Sequence, residues 1–186
     1  MAIKTFSAGS VLTAADTNTY LANSGLVYIT SASLTSVTNT FSTCFSSTYD
    51  AYKIVITNLN NGSTTTRQMS LRMGTDSSAN YGYGHQYIYN GGSSIVTSPT
   101  NQAQALLGNL SQISTQGLEI EMFNPFTATA TMWRYTMNTY QSDVANYVYR
   151  QGYGIKDSLT SYTGFQIIGT GDNLSGLVTI YGYRKA

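Results

Sequence analysis

Apolar residues at every second position dominate this chain, and that period leaves little choice of fold. In RQMSLRM, residues 67 to 73, Met69, Leu71 and Met73 alternate with Gln68, Ser70 and Arg72. AYKIVITNL (51 to 59) puts Tyr52, Ile54 and Ile56 on one face, and QGLEIEMFNP (116 to 125) alternates Leu118, Ile120 and Met122 with Glu119 and Glu121. TMWRYTMN (131 to 138) sets Trp133, Tyr135 and Met137 on one side. Side chains of an extended chain point to opposite faces in turn, so each segment reads as a strand with one buried and one wet face.

TGFQIIGTG (163 to 171) and SGLVTIYGYRK (175 to 185) are equally clear strands, and weaker ones fall near 26 to 31, 40 to 45, 80 to 89, 105 to 110 and 145 to 153. The total is about ten strands. Between them lie NLNNGSTTT, GTDSSAN, YNGGSS and GTGDNLSG, rich in the Asn, Asp and Gly that tight turns favour. The two prolines, Pro99 and Pro125, fall at predicted segment ends. No strand-helix alternation supports a parallel sheet. The expected fold is therefore all-β, an antiparallel β-sandwich of jelly-roll-like type over residues 26 to 186. A chain of 186 residues suits one such domain.

Residues 1 to 25 differ. In LTAADTNTYLANSG, Thr13 followed by Asp16 matches a helix-capping pattern, Ala14 and Ala15 favour helix, and Gly25 can end it. One short helix is expected over about residues 14 to 23. Its apolar stripe is too narrow for it to stand alone, so residues 1 to 25 read as an attachment arm.

The stretch NYGYGHQYIYN (80 to 90) places Tyr81, Tyr83, His85, Tyr87 and Tyr89 on alternate positions, a ladder of rings on one face of a strand. Such rings can line a core, pack against a second copy of the chain, or form a platform for a sugar. Gly82 and Gly84 on the other face would let another backbone come close. The spacing recurs in Asn146-Tyr147-Val148-Tyr149 with Tyr153, so neighbouring strands could pair their rings across the sheet.

Charged residues make up only 9% of the chain, against about 25% in ordinary globular proteins, and the net charge is +1. A surface kept wet by hydroxyls and amides suits virion, adhesive or secreted proteins. With no Lys/Arg cluster, nucleic acid is not an expected partner. No apolar run is long enough to cross a membrane as a helix, and polar residues break MAIKTFSAGSVLTAAD before any signal-peptide core; membrane insertion is not expected.

Reactive chemistry has few candidates. The single imidazole, His85, lacks any recognisable nucleophile context, and the single Cys44 reads as a small apolar residue packed on a strand. Glu119 and Glu121 offer a carboxylate pair for glycoside hydrolysis, but ordinary solvated alternation accounts for them. Asp76 and Asp172 sit in loops that resemble turns rather than calcium sites, and no zinc set exists. No catalytic residue, metal or cofactor is expected.

The opening FSAGSVLTAADTNTYLANSG (6 to 25) resembles the N-terminal arm of many tailed-bacteriophage structural proteins, in which a phrase F-x-x-G-x-x-L-T-A-A-D-x-N-x-Y-L leads into a β domain. GLVTIYGYRK (176 to 185) resembles the last strand of small phage fibre and tail β-sandwiches, and FSSTYDAYKIVI (45 to 56) an early one. The resemblance implies a virion structural protein of tail-fibre, tail-tip or head-decoration type, on the exterior of the particle and delivered by lysis. It implies Phe6, Gly9, Leu12, Thr13, Asp16 and Tyr20 as docking positions on other virion proteins, tail or capsid, and a homotrimeric β domain. Long fibres carry a shaft of repeats that this chain lacks, so a short fibre, a knob or a component bound directly to the particle is expected. The alternative is a receptor-binding module that holds a host-surface polysaccharide through Tyr81, Tyr83, Tyr87, Tyr89 and His85, or through the Tyr147, Tyr149 and Tyr153 strand.

Overall fold

A computed structural model describes residues 9, 11, 13, 25–111, 116–143 and 145–184. The helix expected at 14 to 23 lies outside the described residues. Those described contain strands and turns and no helix, and hence none long and apolar enough to cross a membrane.

Twelve strands follow one another: β1 (Leu26–Leu34), β2 (Thr38–Phe41), β3 (Tyr49–Asn60), β4 (Arg67–Met73), β5 (Tyr81–Tyr89), β6 (Gly92–Gln102), β7 (Ala105–Leu110), β8 (Gln116–Phe123), β9 (Thr131–Gln141), β10 (Asn146–Lys156), β11 (Phe165–Gly169) and β12 (Ser175–Arg184). They form an eight-stranded sheet in the order β1-β12-β3-β8-β9-β10-β5-β6 and a four-stranded sheet in the order β2-β11-β4-β7. Every pairing is antiparallel.

The alternation read from the sequence decides which face is buried. Tyr52, Ile54 and Ile56 of β3, Leu118, Ile120 and Met122 of β8, and Trp133, Tyr135 and Met137 of β9 all lie in the core. Met69, Leu71 and Met73 of β4 and Phe165 and Ile167 of β11 join them from the smaller sheet. Burying each such side chain contributes about 1.5–3 kcal/mol relative to exposure, which holds the sheets face to face. Two glycines of β10 make room for the largest rings. Gly154 pairs with Trp133 and Gly152 with Tyr135, and a methyl group on Gly154 would overlap the indole.

Three expectations need correction. A strand was not expected at 92 to 102, yet β6 forms there as one edge of the larger sheet, with Pro99 inside it. Pro99 falls where the register slips between Tyr81↔Gln102 and Tyr83↔Ser98; an edge strand with a bulge tolerates a residue that has no N–H. The strand expected at 40 to 45 runs instead from Thr38 to Phe41, so Cys44 occupies the following loop, buried, with its thiol donating to the Phe41 carbonyl. β10 extends to Lys156, three residues past the expected end, where it still pairs with Tyr81 and Thr131 and where the buried lysine side chain meets a half-buried partner.

The partner is Asp76. Lys156 is fully buried, and its ammonium lies 3.0 Å from Asp76 Oδ2, donates to Ser78 Oγ (2.7 Å) and to Asn80 Oδ1, and sits 4.2 Å from the centre of the Tyr81 ring. Tyr162 donates to Asp76 Oδ2 (2.6 Å) and Ser78 to Asp76 Oδ1. Burial alone would raise the Asp76 pKa, but the hydrogen bonds from Ser78, Tyr162 and Lys156 win and hold it well below the carboxylate range. The clasp ties the β4–β5 loop to the end of β10 and to the loop before β11.

Candidate functional site

The tyrosine ladder turns inward. Tyr81 is buried, its hydroxyl accepting from the Met73 N–H and donating to the Asp76 carbonyl, both at 2.8 Å. His85 is buried and shares a 3.0 Å hydrogen bond with the Tyr135 hydroxyl through Nδ1. Tyr83 stacks on His85 and Tyr89 on Tyr87, all three half-buried. Burial, and then the charge of Arg150, push the His85 pKa down to about 4, so the ring is neutral at pH 7. Arg150 itself is 2% exposed, beneath Tyr87 at 5.4 Å from the ring centre.

β5 and β10 are neighbours, as the recurring spacing suggested, but their rings do not pair. Tyr149 stands opposite Ile88 and Tyr153 opposite Gly84, so the β10 tyrosines project from the outer face while the β5 tyrosines face inward. Tyr147, Tyr149 and Tyr153 are 69%, 38% and 54% exposed. Of the expected docking residues, Gly9 and Thr13 are exposed; Phe6, Leu12, Asp16 and Tyr20 lie outside the described residues.

On that outer face lies an open cleft of about 580 Å³. Two adjacent rows of side chains build it across β6, β5, β10, β9 and β8. One row is Ile95, Gln86, Gln151, Thr136 and Glu119; the next is Thr97, Gly84, Tyr153, Arg134 and Glu121. Alternation guarantees the rows, because residues in register on antiparallel strands share a face. At Gly84 the Tyr153 ring leans into the space that a side chain would fill, with Cε1 only 2.7 Å from where a methyl carbon would sit. Gln151 Nε2 donates to Gln86 Oε1 in a long bond of 3.5 Å.

Each carboxylate in the cleft already has a cation. Lys53 Nζ is 2.5 Å from Glu119 Oε1, and Arg134 Nε donates to Glu121 Oε2 at 2.5 Å. Tyr183 donates to Glu121 Oε1 at 2.8 Å. That bond, helped by Arg134 and opposed by partial burial, lowers the Glu121 pKa; the bond to Glu119 raises that of Lys53. Elsewhere, Asp172 pairs with Arg67 at 2.9 Å. No group of three or more His, Cys, Asp or Glu residues could hold a metal ion among the described residues. Burial pushes the Cys44 thiol up to about 12.

Sequence reasoning singled out Tyr153, Glu119 and Glu121 but missed Gln86, Gln151, Thr136, Arg134, Ile95 and Thr97. Their one signal is outward parity on their strands, which becomes a site only when the strand order brings β8, β9, β10, β5 and β6 side by side. Comparison with models of known protein families and with curated proteins finds no match.

Proposed function

We propose that this chain is a non-enzymatic structural component of a tailed-bacteriophage particle, of tail-fibre, tail-tip or capsid-attached type. It docks through residues 1 to 25 and turns its β domain outward. The phrase FSAGSVLTAADTNTYLANSG supports the particle assignment through its resemblance to such arms. A contact role is supported by the state of the acidic groups in the cleft. Glycoside hydrolysis needs one carboxyl with a raised pKa to act as acid, whereas Glu121 is held ionised by Tyr183 and Arg134, and Glu119 is paired with Lys53. The buried His85 and protonated Cys44 lack the activated partners a nucleophilic mechanism requires.

Deleting residues 1 to 25 is expected to abolish incorporation into particles while leaving the β domain folded; unchanged incorporation would refute the docking role. Self-assembly, with a trimer as the expected form, would use the exposed Tyr147 and Tyr149 of β10 and the half-buried Tyr87 and Tyr89 of β5. Light scattering at micromolar concentration checks it, and a lone monomer would refute it.

The cleft favours a second role for the same protein, as a receptor-binding module for host-surface polysaccharide. Its supporting observation is the half-exposed Tyr153 ring beside an adjacent row that carries two amides, Gln86 and Gln151. Inhibition of virus adsorption by the purified chain tests this role.

A further inference from the structure

We propose that the outer-face cleft holds an uncharged oligosaccharide laid across the strands, with Tyr153 as its stacking platform and Gln86 and Gln151 as readers of its hydroxyl groups. The proposal rests on the receptor-binding reading and narrows it to a ligand class and to residue roles.

Three observations carry it. The first is the ring itself. Because Gly84 has no side chain, Tyr153 leans over the sheet instead of standing clear of it, and half of its surface stays open to solvent. An aromatic face held in that way fits the apolar C–H face of a pyranose ring and needs no charge on the ligand.

The second is the amide pair in the adjacent row. Gln151 spends one N–H on Gln86 Oε1, leaving the Gln86 amide as a donor and the Gln151 carbonyl as an acceptor, side by side. A hydroxyl group both donates and accepts, so neighbouring hydroxyls on one sugar match neighbouring donor and acceptor groups. The Thr136 hydroxyl continues the same row.

The third is the charge balance. Glu119 and Glu121 are offset by Lys53 and Arg134, and each pair is already in contact. A uronate, sialate or phosphate would meet no net positive charge here, because Lys53 and Arg134 are each offset by a carboxylate in contact. Neutral hydroxyls can instead bond to these groups as they stand. The rows cross five strands, a span on the order of 19 Å at the usual strand spacing, which accommodates more than one sugar ring.

The test is calorimetric titration of the full chain with neutral oligosaccharides of glucose, galactose, mannose and rhamnose, and with oligouronate and oligosialate, at low and high salt. Binding is expected to a neutral series, to strengthen with chain length, and to be insensitive to salt. Tyr153→Ala should weaken it roughly tenfold, while Tyr153→Phe, which keeps the ring, should stay within about threefold. Since Tyr153 is exposed, its loss leaves the core intact; Gly84→Val, which displaces the ring without removing it, should weaken binding as Tyr153→Ala does. Salt-sensitive binding confined to the acidic sugars, unchanged affinity in Tyr153→Ala, or no neutral ligand at all would overturn the proposal. Labelled wild-type protein that binds host cells yet no neutral sugar would sink the ligand class and spare the receptor role. Protein that binds neither would sink both.

Discussion

Gly154 lies directly opposite Trp133 in the β9–β10 pair, and the indole occupies the volume that any side chain at 154 would need. The same arrangement, a ring lying over a glycine on the next strand, recurs on the outer face between Tyr153 and Gly84. The two differ in what surrounds the ring, and their substitutions should differ accordingly.

Gly154→Ala is expected to destabilise the domain by about 1–3 kcal/mol, because Trp133 is buried and cannot swing aside without disturbing the core. Gly84→Ala should cost less than about 1 kcal/mol, since the exposed Tyr153 ring can lift into solvent. Urea unfolding of both variants measures the contrast; equal losses would mean that the Tyr153 ring is as constrained as the indole.

Breaking the Asp76–Lys156 clasp from either side should be severe. Asp76→Asn leaves the fully buried ammonium without its counter-charge, and a loss of about 3 kcal/mol or more is expected. Lys156→Met, which removes the charge and keeps much of the volume, should cost less than Asp76→Asn. Thermal unfolding of the two variants checks that order.

Stability should fall as the solution is acidified from about pH 6.5 to 4. His85 has an ordinary value near 6.5 when unfolded and about 4 when folded, so in this window the unfolded chain binds the proton and the folded chain does not. Its contribution is complete above the unfolded value and is lost as pH falls through the folded one, on the order of 3 kcal/mol in total. Asp76, whose folded pKa is depressed, contributes above the ordinary carboxylate range and loses that contribution only at still lower pH. His85→Gln should therefore flatten the profile between pH 6.5 and 4 and leave the more acidic limb in place. An unchanged slope in this variant would assign the upper window to another group.

Cys44 should resist thiol reagents in the native state. Burial keeps its thiol protonated at neutral pH, so modification by an aromatic disulfide at pH 8 should be slow until denaturant is added. Rapid labelling of folded protein would show that the loop after β2 opens.

The strands were legible where one face is buried and the other wetter, as in β3, β8 and β9, because burial itself imposes the alternation. β6 was not legible: GSSIVTSPTNQ lies on an edge, carries few apolar residues and contains Pro99, so no buried face wrote a period into it. Lys156 was invisible for a different reason. A buried lysine depends on a carboxylate from a distant loop, and no local pattern announces that meeting. The repeated tyrosine spacing showed correctly that the β5 and β10 rings each share a face, but which face depends on register, and the register sets the two rows back to back. The candidate site suffers most from this, since its two rows draw one residue each from five strands and exist only in the assembled order.

Pro99, which carries no amide hydrogen, sits in β6, one of the two edges of the larger sheet, at a point where the pairing register with β5 is displaced. A neighbouring polypeptide that tried to extend the sheet along β6 would meet an irregular template there. At the β6 edge, copies of this domain crowded together at high local concentration are thereby steered toward meeting by side-chain contact rather than by fusing into a continuous ribbon.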